Sequence, residues 1–248
     1  MPRFQRDGFH IFYREQGEGP LLLILPGNTA SSACHQGELE HFGRRYRAVS
    51  LDYRGTGRSD RVAFWPEDWW DQAAGDALEL VRHLGEPGVL AVGSSGGAVV
   101  ALKMAIRDSG AVRAVVADSC VGRFPPEWTE AIAESREKAD PDQVAFWRYA
   151  HGEDWQGPVA SDTDLMRRFG KEGGDWFGSD LRRIRCPVLF TAGTGDSALP
   201  DLGRELVRMV HEVPEGRGAL IHGGDHPLMW TRPETFREVA DGFLAEHG

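Results

Sequence analysis

The residue best suited to chemistry in this sequence is Ser95, at the centre of Gly93-Ser94-Ser95-Gly96-Gly97. The apolar run 89–92 before it predicts a buried strand, and the Ala-rich run 98–106 after it predicts a buried helix. A serine on such a sharp turn is held in a strained backbone conformation, and the glycines on either side let strand and helix approach. The free N–H groups at the helix start face any negative charge that develops beside the hydroxyl. This arrangement is typical of a serine nucleophile.

Two other interpretations of this turn exist. The pattern G-x-S-x-G is weak by itself, and a plain glycine-rich turn between a strand and a helix is one alternative. The other is a phosphate-binding turn. It is disfavoured because the sequence has no G-x-x-x-x-G-K-[ST], and neither Gly93–Gly97 nor Gly55–Gly57 extends to G-x-G-x-x-G.

The elements that must position Ser95 alternate between strands and helices. After an opening hairpin in residues 1–16, buried strands are predicted at 20–26, 46–51, 89–92, 112–117, 186–192 and 218–222. Helices are predicted at 68–84, 98–106, 202–210 and from a capping box at Thr231-Arg232-Pro233-Glu234 to about Glu246. Tryptophans ahead of the first helix are expected to anchor it to the sheet: Trp65, Trp69 and Trp70. The alternation predicts an α/β fold.

Length, composition and charge limit which kind of protein this is and which partners it could bind. The 248 residues, 41% of them apolar, suffice for one large α/β domain with a modest insertion. A net charge of −10, with Lys and Arg dispersed, argues against nucleic acid or a membrane as partner. We expect a soluble, cytoplasmic protein, since no apolar run resembles a membrane span or signal peptide. Cys34, Cys120 and Cys186 are widely spaced and indicate neither disulfides nor a zinc site. We expect no cofactor. The sequence leaves the oligomeric state open.

Three segments in succession resemble a known family: Leu25-Pro26-Gly27-Asn28, Asp52–Asp60 and Gly93–Gly97. Together they resemble the α/β-hydrolase fold superfamily, from the first strands to the C-terminal helix. Most relatives have His-Gly where this chain has Pro26-Gly27, a difference shared with valacyclovir-hydrolase-like carboxylesterases, whose spacing this chain resembles. The resemblance implies a mostly parallel, eight-stranded sheet flanked by helices. It also implies a single domain over residues 1–248, with a helical cap inserted after the sixth strand at 123–180.

A serine hydroxyl needs a base within hydrogen-bond reach and a group that orients the base. In the resembled fold the chain order is serine, acid, histidine. That fold places its base in the loop directly after the last strand, which favours His226 over His222 at the strand end. The resemblance places the acid after the seventh strand, at Asp196, with Asp118 after the sixth strand as the alternative. Asp225 is too near His226 in sequence to reach round to its ring.

A metal site is the competing interpretation of the same histidine loop. His222, Asp225 and His226 could act as ligands. The loop lacks an H-x-H or H-E-x-x-H partner motif, and no second group of ligands stands at matching spacing. We therefore expect no metal.

The oxyanion of an acyl-transfer reaction needs two hydrogen-bond donors. The N–H of Gly96, the residue after the nucleophile, is one candidate. The N–H of Asn28, in the loop after the first buried strand, is the other. Asn28 could instead be an ordinary turn residue, because asparagine is common in turns.

The strand and helix alternation stops between residues 124 and 177, a segment rich in aromatic residues. Helical patterning is visible around Glu127–Lys138 and Asp142–Tyr149, with turn-rich joins between. A cap of this composition should cover an apolar pocket. The candidates to contact substrate are Trp128, Trp147 and Trp155; the alternative is that such rings only pack the cap on the core.

A serine nucleophile points to acyl transfer to water, because dehalogenases and epoxide hydrolases of the resembled fold carry Asp at that position. We expect a serine hydrolase that cleaves small carboxylic esters through an acyl-enzyme. Lactone opening, carbon–carbon bond hydrolysis and aminopeptidase cleavage remain open, as does a non-catalytic ligand-binding role. Valacyclovir-hydrolase-like esterases hold a substrate ammonium with an acidic residue just after the nucleophile. Since Gly96 stands there, we expect neutral acyl esters to be preferred over α-amino-acyl esters.

Overall fold

Eight strands form one sheet in a computed structural model that describes residues 2–248. Their order across the sheet is β1-β2-β4-β3-β5-β6-β7-β8. The first two pairings, β1 with β2 and β2 with β4, are antiparallel, and all the others are parallel. The strands are β1 Arg3–Arg6, β2 Phe9–Gln16, β3 Leu21–Leu25, β4 Arg47–Leu51, β5 Val89–Ser94, β6 Val112–Asp118, β7 Val188–Gly193 and β8 Gly216–Ile221.

Helices cover both faces of this sheet. They are α1 Gln36–Phe42, α2 Trp69–His83, α3 Gly96–Arg107, α4 Pro126–Glu137, α5 Pro141–His151, α6 Gln156–Lys171, α7 Leu202–Glu212, α8 Leu228–Thr231 and α9 Pro233–Ala245. Short 3-10 turns occur at Ser32–His35 and Asp180–Arg183. Within residues 2–248, no helix has both the length and the apolar composition needed to cross a bilayer.

The central strands are buried on both faces, as their unbroken apolar sequences predicted. All residues of β3 and β5 are buried, and their register pairs Leu22 with Leu90 and Leu25 with Gly93. Helices on both faces of a parallel sheet produce this pattern. The edge strand β8 differs, because its residues are half-buried or exposed and Leu220 is 49% accessible. The prediction of a buried strand there was wrong, since an edge strand has a neighbour on one side alone.

Three helices separate β6 from β7 in the chain. The predicted helices near 127–138 and 142–149 are confirmed as α4 and α5. The helix α6 was not predicted, because Gly157-Pro158 and the polar run 161–164 are typical of turns. In the structure α6 packs against α4, and this tertiary contact outweighs its weak helix propensity.

Candidate active site

Ser95 lies where β5 ends and α3 begins. Its backbone has φ 53° and ψ −121°, a conformation that costs a non-glycine residue about 1–3 kcal/mol. Its N–H donates to the carbonyl oxygen of Asp118 at 2.8 Å, which ties the turn to β6. The predicted close approach of strand and helix is confirmed. A Cβ on Gly93 would overlap the carbonyl of Gly97, and one on Gly97 would overlap the carbonyl of Leu25.

His226 lies in the loop between β8 and α8, and its ring contacts Asp196. Nδ1 of His226 is 2.8 Å from Oδ2 of Asp196, whose side chain is inaccessible to solvent. The other carboxylate oxygen of Asp196 accepts from the N–H of Ala198 at 3.0 Å. A carboxylate accepts hydrogen bonds but does not donate them, so Nδ1 carries the proton and Nε2 is left as the basic nitrogen.

The loop that carries His226 is held by several hydrogen bonds. The hydroxyl of Thr231 accepts from the N–H of Asp225 at 3.0 Å and lies 2.9 Å from the carbonyl of Asp225. The N–H of Leu228 donates to Oγ of Ser119 at 2.8 Å. The predicted capping box at 231–234 was therefore wrong. Thr231 ends α8 and fastens the histidine loop, while α9 begins at Pro233 without a side-chain cap.

Asp118, the alternative acid, is buried next to this loop and bonded elsewhere. Its Oδ1 accepts from Oγ1 of Thr191 at 2.7 Å, and its Oδ2 accepts from the N–H of Met229 at 3.0 Å. Burial raises the pKa of Asp118 to about 7. These bonds tie the ends of β6 and β7 to α8. His222, the competing base, is exposed and lies outside the cavity described below.

Asn28 and Gly96, the candidate oxyanion donors, lie against each other. A Cβ on Gly96 would lie 3.2 Å from the backbone nitrogen of Asn28 and would overlap its side-chain Oδ1. The Asn28 side chain also lies 3.4 Å from Nε1 of Trp70, which packs as a buried anchor at the start of α2. No side chain fits at position 96 without displacing Asn28. Asn28 therefore occupies the space that an acidic side chain directly after Ser95 would need.

A buried histidine of α5 fixes the other side of the loop that carries Asn28. Nδ1 of His151 accepts from the N–H of Gly57 at 3.0 Å, so Nε2 carries the proton and donates to the carbonyl of Thr29 at 3.0 Å. Burial lowers the pKa of His151 to about 4. The ring therefore stays neutral at pH 7 and links α5 to the residue next to Asn28.

Ser95 and His226 open onto a cavity of about 420 Å³ between the sheet and helices α4–α6. Asn28, Gly96, Trp128 and Trp147 also line it. The third predicted tryptophan, Trp155, lies outside it. Its ring stacks on Trp147 with centroids 5.4 Å apart and lines a neighbouring cavity.

Sequence analysis missed two residues near this cavity. Arg136 of α4 lines it beside the aromatic rings, and Asp162 of α6 forms an ion pair with Arg136. Arg136 lies inside a predicted helix, but nothing in the sequence indicates which way it faces. Asp162 lies in the helix that was not predicted at all.

Comparison with known proteins decides the family. Residues 22–239 match the alpha/beta hydrolase family. The chain belongs to this family. Mouse serine hydrolase BPHL is 26% identical over an alignment of 254 positions that covers 96% of this chain and 84% of that protein. The (E)-2-((N-methylformamido)methylene)succinate hydrolase of Acinetobacter baylyi is 23% identical over an alignment of 255 positions that covers 94% of this chain and 93% of that protein.

Solved structures support the same assignment of this alpha/beta hydrolase. A thermophilic esterase from Thermogutta terrifontis superposes with a TM-score of 0.79 at 20% identity, over 100% of both chains. The enol-lactonase from Burkholderia xenovorans superposes with a TM-score of 0.77 at 19% identity, over 98% of this chain and 100% of that one. The predicted fold is thereby confirmed, and the protein is a hydrolase of this family.

Proposed function

We propose that this protein is a serine esterase that cleaves small carboxylic esters through an acyl-enzyme on Ser95. The observation that carries the proposal is the 2.8 Å contact of His226 with buried Asp196, in a cavity that Ser95 and His226 line together. Asn28 and Gly96 would donate their N–H groups to the oxyanion. Residues 123–180 would act as a cap, with Trp128 and Trp147 forming an apolar wall.

The reaction would proceed in two acyl transfers. Oγ of Ser95 attacks the ester carbonyl while Nε2 of His226 accepts the hydroxyl proton. Asp196 stabilises the imidazolium through Nδ1. The oxyanion accepts from the backbone donors, and the alcohol leaves with the proton from His226. Water, deprotonated by the same histidine, then attacks the acyl-enzyme and releases the acid.

Lactone opening, carbon–carbon bond hydrolysis and peptide cleavage at an N-terminal proline are alternative reactions for the same side chains. Among the relatives, the enol-lactonase carries lactone opening in its name. A member of the fold that binds ligands without turnover is the competing class of function. Competent side chains at all the proposed positions favour an enzyme.

Labelling with a fluorophosphonate probe tests the proposal against a binding protein. We expect stoichiometric phosphonylation of the folded protein at Ser95, because the probe reports a hydroxyl activated by a base. The site of attachment is read by peptide mass spectrometry. Labelling should disappear in Ser95→Ala and persist in Ser109→Ala, a control on the exposed turn after α3. A folded wild-type protein that stays unlabelled would support the binding role instead.

Substrate charge gives a second prediction. We expect a phenylpropionyl ester to be cleaved with a higher kcat/KM than the matching phenylalanyl ester. An ammonium group beside Ser95 finds no carboxylate at position 96, and an unpaired cation is costly to bury. Two acids of the cap, Asp140 and Asp142, line an adjoining cleft together with Ser95, but both are exposed, so water screens them.

The measurement is kcat/KM from progress curves of the two esters, which carry the same leaving group, at a pH where the amine is protonated. The apolar side chain is the same in both esters, so its burial cancels from the ratio. A clear advantage for the phenylalanyl ester would contradict the prediction. That result would indicate that Asp140 and Asp142 hold the ammonium group.

A further inference from the structure

Arg136 places a cation in the wall of the catalytic cavity. Its side chain is 14% exposed, and it lines the same cavity as Ser95 and His226. Nη1 lies 2.7 Å from Oδ2 of Asp162 and donates to Oγ1 of Thr163 at 2.9 Å. Within residues 2–248, Nε and Nη2 of this guanidinium have no hydrogen-bond partner. The group therefore has donors left for a ligand.

Asp162 holds this guanidinium in an ion pair whose hydrogen bonding is incomplete. Its side chain is completely buried, and neither carboxylate oxygen has a hydrogen bond of regular geometry. Burial raises the pKa of Asp162, while Arg136 and the amide of Asn28 oppose that rise. A buried ion pair with incomplete hydrogen bonding is commonly no more stable than an apolar pair of the same shape. Fold stability alone therefore does not account for it.

The surroundings of Arg136 suit a ligand with an apolar chain and an anionic end. Trp128, Ile132, Trp147 and Met166 line the cavity around it. The same guanidinium also borders the neighbouring cavity that Trp155 lines. The planar fork of an arginine matches the two oxygens of a carboxylate, and such charge-assisted bonds are stronger than neutral ones.

We propose that Arg136, held in place by Asp162, binds a carboxylate of the substrate while its ester reacts at Ser95. The inference rests on the proposed esterase function and narrows its substrates to esters that carry a carboxylate at the end of an apolar chain. Monoesters of dicarboxylic acids are the simplest members of this class. Together with the preference against amino-acyl esters, it ranks substrates as anionic, then neutral, then cationic.

The test compares esters that differ in the terminal group alone. Mono-p-nitrophenyl esters of glutaric, adipic and suberic acid are paired with esters of equal length that end in an isopropyl group. Spontaneous hydrolysis is subtracted with the Ser95→Ala variant. For at least one chain length, we expect kcat/KM to favour the carboxylate by about tenfold or more. The chain length with the largest ratio reports the distance from Ser95 to the anchor.

Arg136→Gln should abolish this preference mainly by raising KM for the carboxylate ester, with the neutral ester little affected. Arg148→Gln is the matched control, because Arg148 lies on α5 of the same cap, is 56% exposed and does not line the cavity. Arg136→Gln leaves Asp162 buried without its partner, so the double variant Arg136→Gln/Asp162→Asn provides a neutral pair if the single variant folds poorly. The double variant should also lose the preference.

The inference is overturned if wild-type enzyme treats the paired esters alike, or if Arg136→Gln slows both esters equally. Failure of the esterase proposal looks different, since no ester would then be hydrolysed faster than by Ser95→Ala. In that case calorimetry of monomethyl adipate binding still tests the anchor. Binding by wild-type protein that is lost in Arg136→Gln supports it, and equal or absent binding in both overturns it.

Discussion

Replacing Ser95 by alanine should lower kcat for a p-nitrophenyl ester about 10⁶-fold, the size of loss that follows removal of a serine nucleophile. The variant can form no acyl-enzyme, and His226 has no hydroxyl to activate. Residual turnover would come from the oxyanion donors and from substrate binding, which together are worth about 10³–10⁴ over water. Initial rates with enzyme concentrations verified by active-site titration of the wild type measure the ratio.

Folding must be shown to survive this change. Ser95 has a strained backbone, and alanine and serine are strained to a similar degree at positive φ. The far-UV circular dichroism and the unfolding midpoint of Ser95→Ala should therefore match those of wild type. Ser109→Ala should keep wild-type kinetics. An Ser95→Ala variant with full esterase activity would refute the proposed mechanism.

Replacing Asp196 by asparagine should lower kcat about 10⁴-fold, as expected when the group that orients a catalytic histidine stops accepting the hydrogen bond from its Nδ1–H. The carboxylate accepts from Nδ1 of His226 at 2.8 Å. An amide can present its NH₂ group there instead, which would move the proton to Nε2 and remove the base. The measurement is kcat for an activated ester, with KM expected to change little.

Asp118→Asn is the matched comparison, because Asp118 is the other acid at a strand end near His226. It accepts from Thr191 and from the N–H of Met229, so its loss should lower stability by about 1–3 kcal/mol through one unmade buried hydrogen bond. The loss of kcat should be far smaller than for Asp196→Asn. Equal losses of kcat in the two variants would show that Asp118 shares the role given to Asp196.

The nucleophile turn could be predicted from the sequence because the features that build it are local. Strand, turn and helix occupy one continuous run around Ser95, and hydrophobic periodicity reports each of them. Glycines at 93 and 97 are required by backbone contacts within this unit and with β3. The strands at the centre of the sheet were predictable for the same reason, since burial on both faces leaves an unbroken apolar sequence.

Local sequence features could not decide whether Asp196 or Asp118 is the partner of His226. Both residues follow parallel strands that end at the same edge of the sheet, so both were reasonable partners for His226. The paths of the loops after β6 and β7 decide which carboxylate meets the ring. In the structure the carboxylate of Asp196 contacts Nδ1 of His226, whereas that of Asp118 accepts hydrogen bonds from Thr191 and Met229.

The sequence by itself determined the α/β class, the turn that carries Ser95 and the loop that carries His226, because short-range patterns encode them. Tertiary structure alone decided how helices α4–α6 face the cavity that Ser95 lines. Helix α6 has weak local signals and forms through its packing on α4, and that packing brings Asp162 to Arg136. A charged residue in a sequence is expected to be exposed until its neighbours in space are known. The direction of Arg136 into the cavity therefore followed from the packing of two helices, which no single segment of the chain specifies.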